Sequence, residues 1–275
     1  MRAFRFVLSA VLLMYSGSRS FSEEGKTPAI GEKLSDEQVA QFLKVAKTAN
    51  DNVAIDRIPS EGPVHRVRIR RPFYLGQNEV TQGQWEILMG DNPSHFVDSP
   101  LLPVEQVSWD DVQPFLKKLT QVASQHKLEF ALPTEAQWEF ACRAGRTTDW
   151  HFGDNQNALA EYGWFKGTKS QPVGRLLHNG FGLYDMHGNV FEWCADWWAA
   201  DYYANSPIND PAGPDNGSHR VLRGGGWYHS AYTCRSAYRH FYNPSPADKF
   251  LGHLGFRCAA SIEAVDQKLG LSPDD

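Results

Sequence analysis

Alternating and helically spaced apolar positions predict a strand and three helices in the first half of the chain. In the segment HRVRIRR, Val67 and Ile69 alternate with arginines, a period of two that is typical of a strand with one buried face. Three later segments place an N-cap residue before apolar residues at helical spacing. The predicted helices begin after Thr81, Ser108 and Thr134, and the first of them ends at Gly90.

The two ends of the chain differ from its centre. Residues 1–20 combine Arg2 and Arg5 with a short apolar run and small residues, which predicts a signal peptide. Residues 21–59 are predicted to be polar, apart from a short amphipathic helix that begins after Ser35. The main domain is predicted over residues 60–262, and residues 263–275 form a polar tail. No apolar run is long enough to span a membrane. We therefore expect an exported protein that has no membrane-spanning segment.

The second half of the domain is predicted to be rich in loops. After residue 145 aromatic-rich loops alternate with short strands, down to GFRCAA at residues 255–260. The order of elements indicates a single α+β domain. The chain is 41% hydrophobic and contains nine tryptophans, which is ample for one core. A net charge of −5 gives no indication of a nucleic-acid or membrane-surface partner.

Four cysteines occur in a chain that we expect to mature in an oxidising compartment, where disulfides persist. Four cysteines allow three complete pairings, and the sequence does not choose between them. Their spacing contains no CxxC, which argues against a zinc site. The residues concerned are Cys142, Cys194, Cys234 and Cys258.

Seven ordered blocks of the chain resemble the formylglycine-generating enzyme/sulfatase-modifying-factor domain family. The blocks are NEVTQGQWEILMGDNPSHF, PVEQVSWDDVQPFLKKL, LPTEAQWEFACRAG, GLYDMHGNVFEWCADWW, RVLRGGGWY, CRSAYR and LGFRCA. So many ordered blocks are far more specific than any single motif. The resemblance implies a C-type-lectin-like variant of the α+β class, loop-rich, with a small antiparallel sheet and flanking helices.

The resemblance also implies a copper site, which this chain carries only in part. Formylglycine-generating members oxidise a protein cysteine with Cu(I) held by two cysteines. The second of these matches Cys234, but the first falls on His229, and a nearby serine falls on Gly226. Cu(I) accepts imidazole, so His229 with Cys234 could hold it. Alternatively, Cys234 is structural and pairs with Cys194, a position where those enzymes have no cysteine.

The segment DMHGNVFE resembles a calcium loop of the same family. By that resemblance, Ca2+ is held by the side chains of Asp185 and Glu192 and by the carbonyls of Gly188 and Val190. Such hard oxygen ligands suit calcium. The alternative is a turn without metal, in which Glu192 is hydrogen-bonded to the backbone.

Two functional hypotheses follow from these observations. In the first, the protein is an exported member that has diverged from formylglycine formation and binds or acts on a protein or peptide partner in the cell envelope. In the second, it is an active copper-dependent oxidase of protein cysteine that uses Cys234 with His229. Fold alone does not establish function. The state of the Cys234 thiol therefore distinguishes the two hypotheses.

Overall fold

Two four-stranded sheets organise the molecule. The computed structural model describes residues 44–46, 61–126, 128–245 and 252–261. In the first sheet, strands β1 (Lys44–Ala46), β2 (Phe73–Leu75), β3 (Glu129–Ala131) and β8 (Ala259–Ser261) lie antiparallel in the order β1-β2-β8-β3. The second contains β4 (Phe191–Trp197), β5 (Arg220–Arg223), β6 (His240–Tyr242) and β7 (Leu254–Gly255) in the order β6-β5-β4-β7. Only the pairing of β4 with β7 is parallel among these described strands.

The three predicted helices are confirmed, and each begins at the predicted cap. They are α1 (Gln82–Met89), α2 (Trp109–Val122) and α3 (Glu135–Arg143), and a short fourth helix, α4, covers Tyr202–Asn205. Thr81, Ser108 and Thr134 each form a capping box with the side chain three residues later. Gly90 ends α1 with a φ of 89°, a left-handed conformation that favours glycine.

Helix α2 packs against β3 of the first sheet, whereas α3 packs against β4 and β5 of the second, and two hydrophobic clusters are buried among these elements. Between α1 and α2, the rings of Trp85 and Phe115 stack with centroids 5.2 Å apart, and Phe256 packs edge-on against both. A second cluster lies under α3 and includes Trp138 and Cys194. The α+β prediction is therefore confirmed, with two sheets in place of the single small sheet that was expected.

Two predicted elements near the start of the domain were wrong in detail. Lys44–Ala46, inside the predicted Ser35 helix, form β1 because the edge of β2 offers a ladder of backbone hydrogen bonds. That pairing outweighs helix propensity, which amounts to only tenths of a kcal/mol per residue, about 0.7 at most for ordinary residues. The HRVRIRR segment keeps its alternation, with Ile69 buried, but only Arg68 forms a bridge, to Asn209.

Several predictions lie outside the described residues. These are the signal peptide at residues 1–20, the rest of the segment at residues 21–59, and the tail at residues 263–275. Within the described part of the chain, no helix is both long enough and apolar enough to cross a bilayer.

Candidate functional site

The three consecutive glycines after β5 form a tightly packed turn. Gly224 and Gly225 have φ values of 95° and 82°, in the region that side chains rarely adopt. A Cβ atom on Gly225 would lie 2.6 Å from the Cys234 sulfur, and one on Gly224 would lie 3.2 Å from the Trp138 ring. The glycines therefore serve close packing.

Cys234 ends the 3-10 turn Ala231–Cys234 and is completely buried. Its side chain packs in a small apolar cluster with Trp150 and Leu159. The backbone carbonyl of Cys234 lies 2.8 Å from Nδ1 of the buried His187. Burial raises the pKa of the Cys234 thiol to about 12. At neutral pH this thiol is protonated and shielded from solvent.

His229 lies on the other side of the turn, half-buried among rings. Its imidazole contacts Tyr228, Phe191 and His253, with centroids 3.9, 4.9 and 5.5 Å away. Burial, with smaller contributions from His253 and His240, lowers the pKa of His229 to about 4. Its Nδ1 atom is buried and has no hydrogen-bond partner among the described residues. The imidazole is therefore neutral and keeps a free polar nitrogen.

The structure does not join His229 to Cys234. No hydrogen bond connects the two among the described residues, and their side chains belong to different clusters. In the same described part, no group of three His, Cys, Asp or Glu side chains is arranged to hold a metal ion.

The expected disulfide between Cys194 and Cys234 is absent, which corrects that prediction. All four cysteines are free and buried. Cys194 lies on β4 in the cluster with Trp138, whereas Cys234 lies in the separate cluster with Trp150. Since each thiol is surrounded by its own apolar neighbours, the two do not approach as a bridge requires.

An uncharged aromatic surface, which we call the aromatic face, surrounds His229. Tyr228 and Tyr232 are its most exposed members, at 41% and 51%. Burial lowers the pKa of His240, so this imidazole is also neutral. The face consists of Tyr228, His229, Tyr232, Tyr238, His240 and Tyr242. Most of these residues could not be predicted, because they come from the turn and from β6 and no sequence motif links them.

Beneath this face lies a set of buried ion pairs, which we call the buried arginine core. Arg239 binds both oxygens of Glu135, at 2.6 and 2.7 Å, and Arg223 pairs with Glu139. Arg235 likewise binds Glu61. The core consists of Arg223, Arg235, Arg239 and Arg257 with Glu61, Glu135, Glu139 and Glu192. All four of these arginines are buried.

The predicted calcium loop places Asp185 in a strained, buried position. Its φ is 56°, and its Oδ2 accepts a hydrogen bond of 2.7 Å from the Gly174 amide. Its Oδ1 is buried and has no partner among the described residues. Burial raises the pKa of Asp185 to about 6, and the nearby Glu192 adds to the rise. One oxygen of the predicted ligand set is therefore available to a cation.

Glu192 is placed differently from either interpretation of the sequence. Both of its oxygens lie 2.6 Å from nitrogens of Arg257, and Oε2 also accepts a 2.7 Å hydrogen bond from the Trp138 indole. Its partners are thus side chains and not the backbone. Because a guanidinium already neutralises this carboxylate, Glu192 does not fit as a calcium ligand here.

The remaining members of the loop shape the site through their backbone. A Cβ atom on Gly188 would lie 2.2 Å from the Trp164 carbonyl oxygen, so only glycine fits. The Val190 amide donates to the buried carboxylate of Glu79 at 3.0 Å. Asn78, which the sequence analysis missed, also borders Gly174, and its buried Oδ1 has no partner among the described residues.

Comparison with known proteins agrees with this architecture. The family model of the sulfatase-modifying factor enzyme 1-like domain matches residues 42–262. A formylglycine-generating enzyme of Thermomonospora curvata is 35% identical over 207 residues, which cover 66% of this chain and 62% of that protein. The chaperone protein LppX of Paenibacillus barcinonensis is 29% identical over 216 residues, covering 60% of this chain and 73% of that protein.

A solved structure shares the fold over most of its length. Treponema denticola variable protein 1 superposes with a TM-score of 0.72 at 30% identity, over 80% of this chain and 95% of that one. By contrast, the chain spans about three fifths of the length of the Thermomonospora enzyme.

Proposed function

Because this chain belongs to the sulfatase-modifying factor enzyme 1-like domain family, we propose that it is an exported member that has diverged from cysteine oxidation and binds a polypeptide partner in the cell envelope. The observation that carries this proposal is the state of Cys234. A thiol that exchanges with a substrate cysteine must be reachable and must ionise. Cys234 is 0% exposed, and burial raises its pKa to about 12.

The aromatic face supplies the binding surface. Tyrosine offers a large rigid ring with a polar tip, which makes it common at protein interfaces. Tyr228 and Tyr232 present such rings to solvent. The neighbouring charge of Arg235 is already neutralised by Glu61, so the face selects uncharged, apolar segments. The similarity to a protein named as a chaperone supports a polypeptide as the partner.

The test combines thiol accessibility with peptide capture. Iodoacetamide should leave Cys234 unmodified in the native protein and modify it in urea, as peptide mapping would show. A cysteine-containing peptide and its serine counterpart should then bind equally to the immobilised protein. Tyr228→Ala with Tyr232→Ala should abolish that binding, whereas Leu177→Ala, an equally exposed apolar residue, should not. Rapid native alkylation, or binding only of the cysteine peptide, contradicts the proposal.

The second candidate is copper-dependent oxidation with Cys234 and His229. The observation that favours it is the free, neutral Nδ1 of His229, which is suited to a soft metal. Stoichiometric Cu(I) binding that His229→Ala abolishes, followed by conversion of the cysteine peptide to an aldehyde with molecular oxygen as the oxidant, would establish this function. Failure to bind Cu(I) rules it out.

We also propose that calcium binds beside Asp185, with a ligand set different from the one first expected. The oxygens that support this are Asp185 Oδ1 and Asn78 Oδ1, both buried without partners among the described residues. The carbonyls of Gly188 and Val190 remain in the proposal, while Glu192 stays with Arg257. Calcium should raise the melting temperature of the wild type but not of Asp185→Ala or Asn78→Ala. An equal rise of the melting temperature in the variants, or no rise in the wild type, contradicts the proposed calcium site.

Export is part of the same proposal. The basic, apolar and small-residue pattern of residues 1–20 supports it. N-terminal sequencing of the protein recovered from its native host should begin at Phe21, because the small residues Ser18 and Ser20 suit cleavage there. A protein that retains Met1 or the apolar run would contradict export by this route.

A further inference from the structure

A row of exposed arginines lies far from the aromatic face in sequence and is unused by the proposed function. The extended segment at residues 66–70 turns Val67 and Ile69 inward, so that every second residue faces solvent. Side chains two residues apart on an extended chain are roughly 7 Å apart on one face. We call the three outward residues, Arg66, Arg68 and Arg70, the arginine strip.

The strip is only partly neutralised by its own protein. Arg70 forms an ion pair with Asp210 at 2.8 Å. Arg66 and Arg68 are exposed, and their side chains make no hydrogen bond or ion pair with any described residue. Arg68 is held in place by its backbone, which bonds to Ile208 and Asp210 on the neighbouring segment. Two adjacent unpaired positive charges, Arg66 and Arg68, are therefore presented, at least toward the described residues, by a protein whose net charge is −5.

Exposed apolar side chains flank the strip. Ile208 is 53% exposed, and its carbonyl accepts the Arg68 amide hydrogen bond at 2.7 Å, which places it directly beside the strip. Val64 is also exposed, two residues before Arg66. A soluble polyanion would bind through the arginine charges alone. A bilayer surface would bind both the arginines and the apolar side chains, because anionic headgroups attract arginine while apolar side chains enter the acyl boundary.

We propose that the arginine strip, with Ile208 and Val64, docks the protein on the surface of a membrane that contains anionic phospholipid. Arg66 and Arg68 contact headgroup phosphates, and Ile208 enters the apolar boundary. The interaction is peripheral and salt-sensitive, since exposed charges are screened within a Debye length. The net charge of the chain gave no indication of this surface, because it sums the charges of the strip with those of acidic residues elsewhere.

The experiment measures flotation of the full chain with vesicles of equal parts phosphatidylglycerol and phosphatidylcholine, against phosphatidylcholine alone. We expect binding only to the anionic vesicles, and its loss at high salt. Arg66→Ser with Arg68→Ser should weaken it roughly thirty-fold, at about a factor of five for each arginine. The matched control is Arg146→Ser with Arg175→Ser, which removes the same charge from exposed positions elsewhere and should change binding little.

A second pair of variants tests the apolar contribution. Ile208→Ser should weaken vesicle binding, whereas Leu177→Ser, at a similarly exposed position, should not. The proposal is overturned if the wild type ignores anionic vesicles, if both arginine pairs weaken binding equally, or if Ile208→Ser has no effect. It is equally overturned if the wild type binds heparin but not vesicles. The proposal also fails if the variant Arg66→Ser with Arg68→Ser binds vesicles normally but self-associates. In that case the arginines only prevent association along an exposed edge of the chain.

Discussion

The buried arginine core and the aromatic face are neighbouring regions that differ in how their polar groups are bonded. In the core, both oxygens of Glu135 and both of Glu192 are bonded to arginines, and solvent is excluded. On the face, His229 keeps an unpartnered nitrogen, and Tyr228 exposes two fifths of its surface. Charges that are already paired determine the arrangement of loops, whereas uncharged rings with access to solvent remain available to a ligand.

The largest effect should come from removing one charge of the core. Arg223 pairs with Glu139 and donates to the carbonyls of Ser236, Ala237 and Tyr238. Arg223→Met removes one of the two arginines paired with Glu139, the other being Arg143, and leaves the three carbonyls without this donor. It should lower the free energy of unfolding by about 3 to 5 kcal/mol. Urea denaturation at neutral pH measures this loss of unfolding free energy.

The control for that change is Lys169→Met, which breaks an exposed pair with Asp98. Exposed pairs contribute about 1 kcal/mol or less. Equal losses in the two variants would mean that burial does not distinguish the core from the surface.

Two adjacent glycines allow the next comparison. Gly225→Ala forces a Cβ to within 2.6 Å of the Cys234 sulfur at a φ of 82° and should cost about 3 kcal/mol. Gly226→Ala places a Cβ 3.1 Å from Nδ1 of His229, a ring that can yield, and should cost less than about 1 kcal/mol. Thermal melts of the two proteins give the difference. Similar costs would contradict the tight packing on the thiol side of the turn.

The pH dependence of stability should reveal Asp196, a buried carboxyl group beside the core. Burial raises the pKa of Asp196 to about 8, and Glu135 adds to the rise. The folded state therefore keeps a proton that the unfolded chain releases near pH 4. The free energy of unfolding should fall as pH rises from about 4 to about 8, by at most about 1.4 kcal/mol per pH unit.

Asp196→Asn isolates that contribution. The amide oxygen can still accept the hydrogen bond from the Glu135 amide, but the side chain no longer titrates. Urea unfolding across this pH range should therefore show a shallower slope in the variant. Identical slopes in the two proteins would show that Asp196 titrates normally.

The smallest effect on stability should come from the aromatic face. Tyr228→Ala and Tyr232→Ala remove half-exposed rings and should each change the free energy of unfolding by less than about 1 kcal/mol. Urea denaturation under the conditions used for Arg223→Met gives the comparison. A loss as large as that of Arg223→Met would mean that the face is a structural element and not a free surface.

Local signals in the sequence predicted the helices well. Thr81, Ser108 and Thr134 were identified as caps from neighbours within a few residues, and each forms its capping box. Strand β1 was missed because its partner, β2, lies in another segment and changes which conformation is favourable.

The parts of the site that could not be predicted all depend on distant segments. The salt bridge between Glu192 and Arg257 joins β4 to the residues before β8, and no spacing rule connects them. Asn78 and Asp185 come together only because Gly174 lies between them. The burial of Cys234 likewise depends on Trp150 and Leu159.

The sequence by itself determined the family and the helix caps, because these follow from residue identity and local order. Only the tertiary structure decided that Cys234 is a free, buried thiol and that Arg257 takes the carboxylate expected to bind calcium. The physical reason is that pKa, accessibility and choice of partner are properties of an environment. That environment is assembled from segments far apart in the chain.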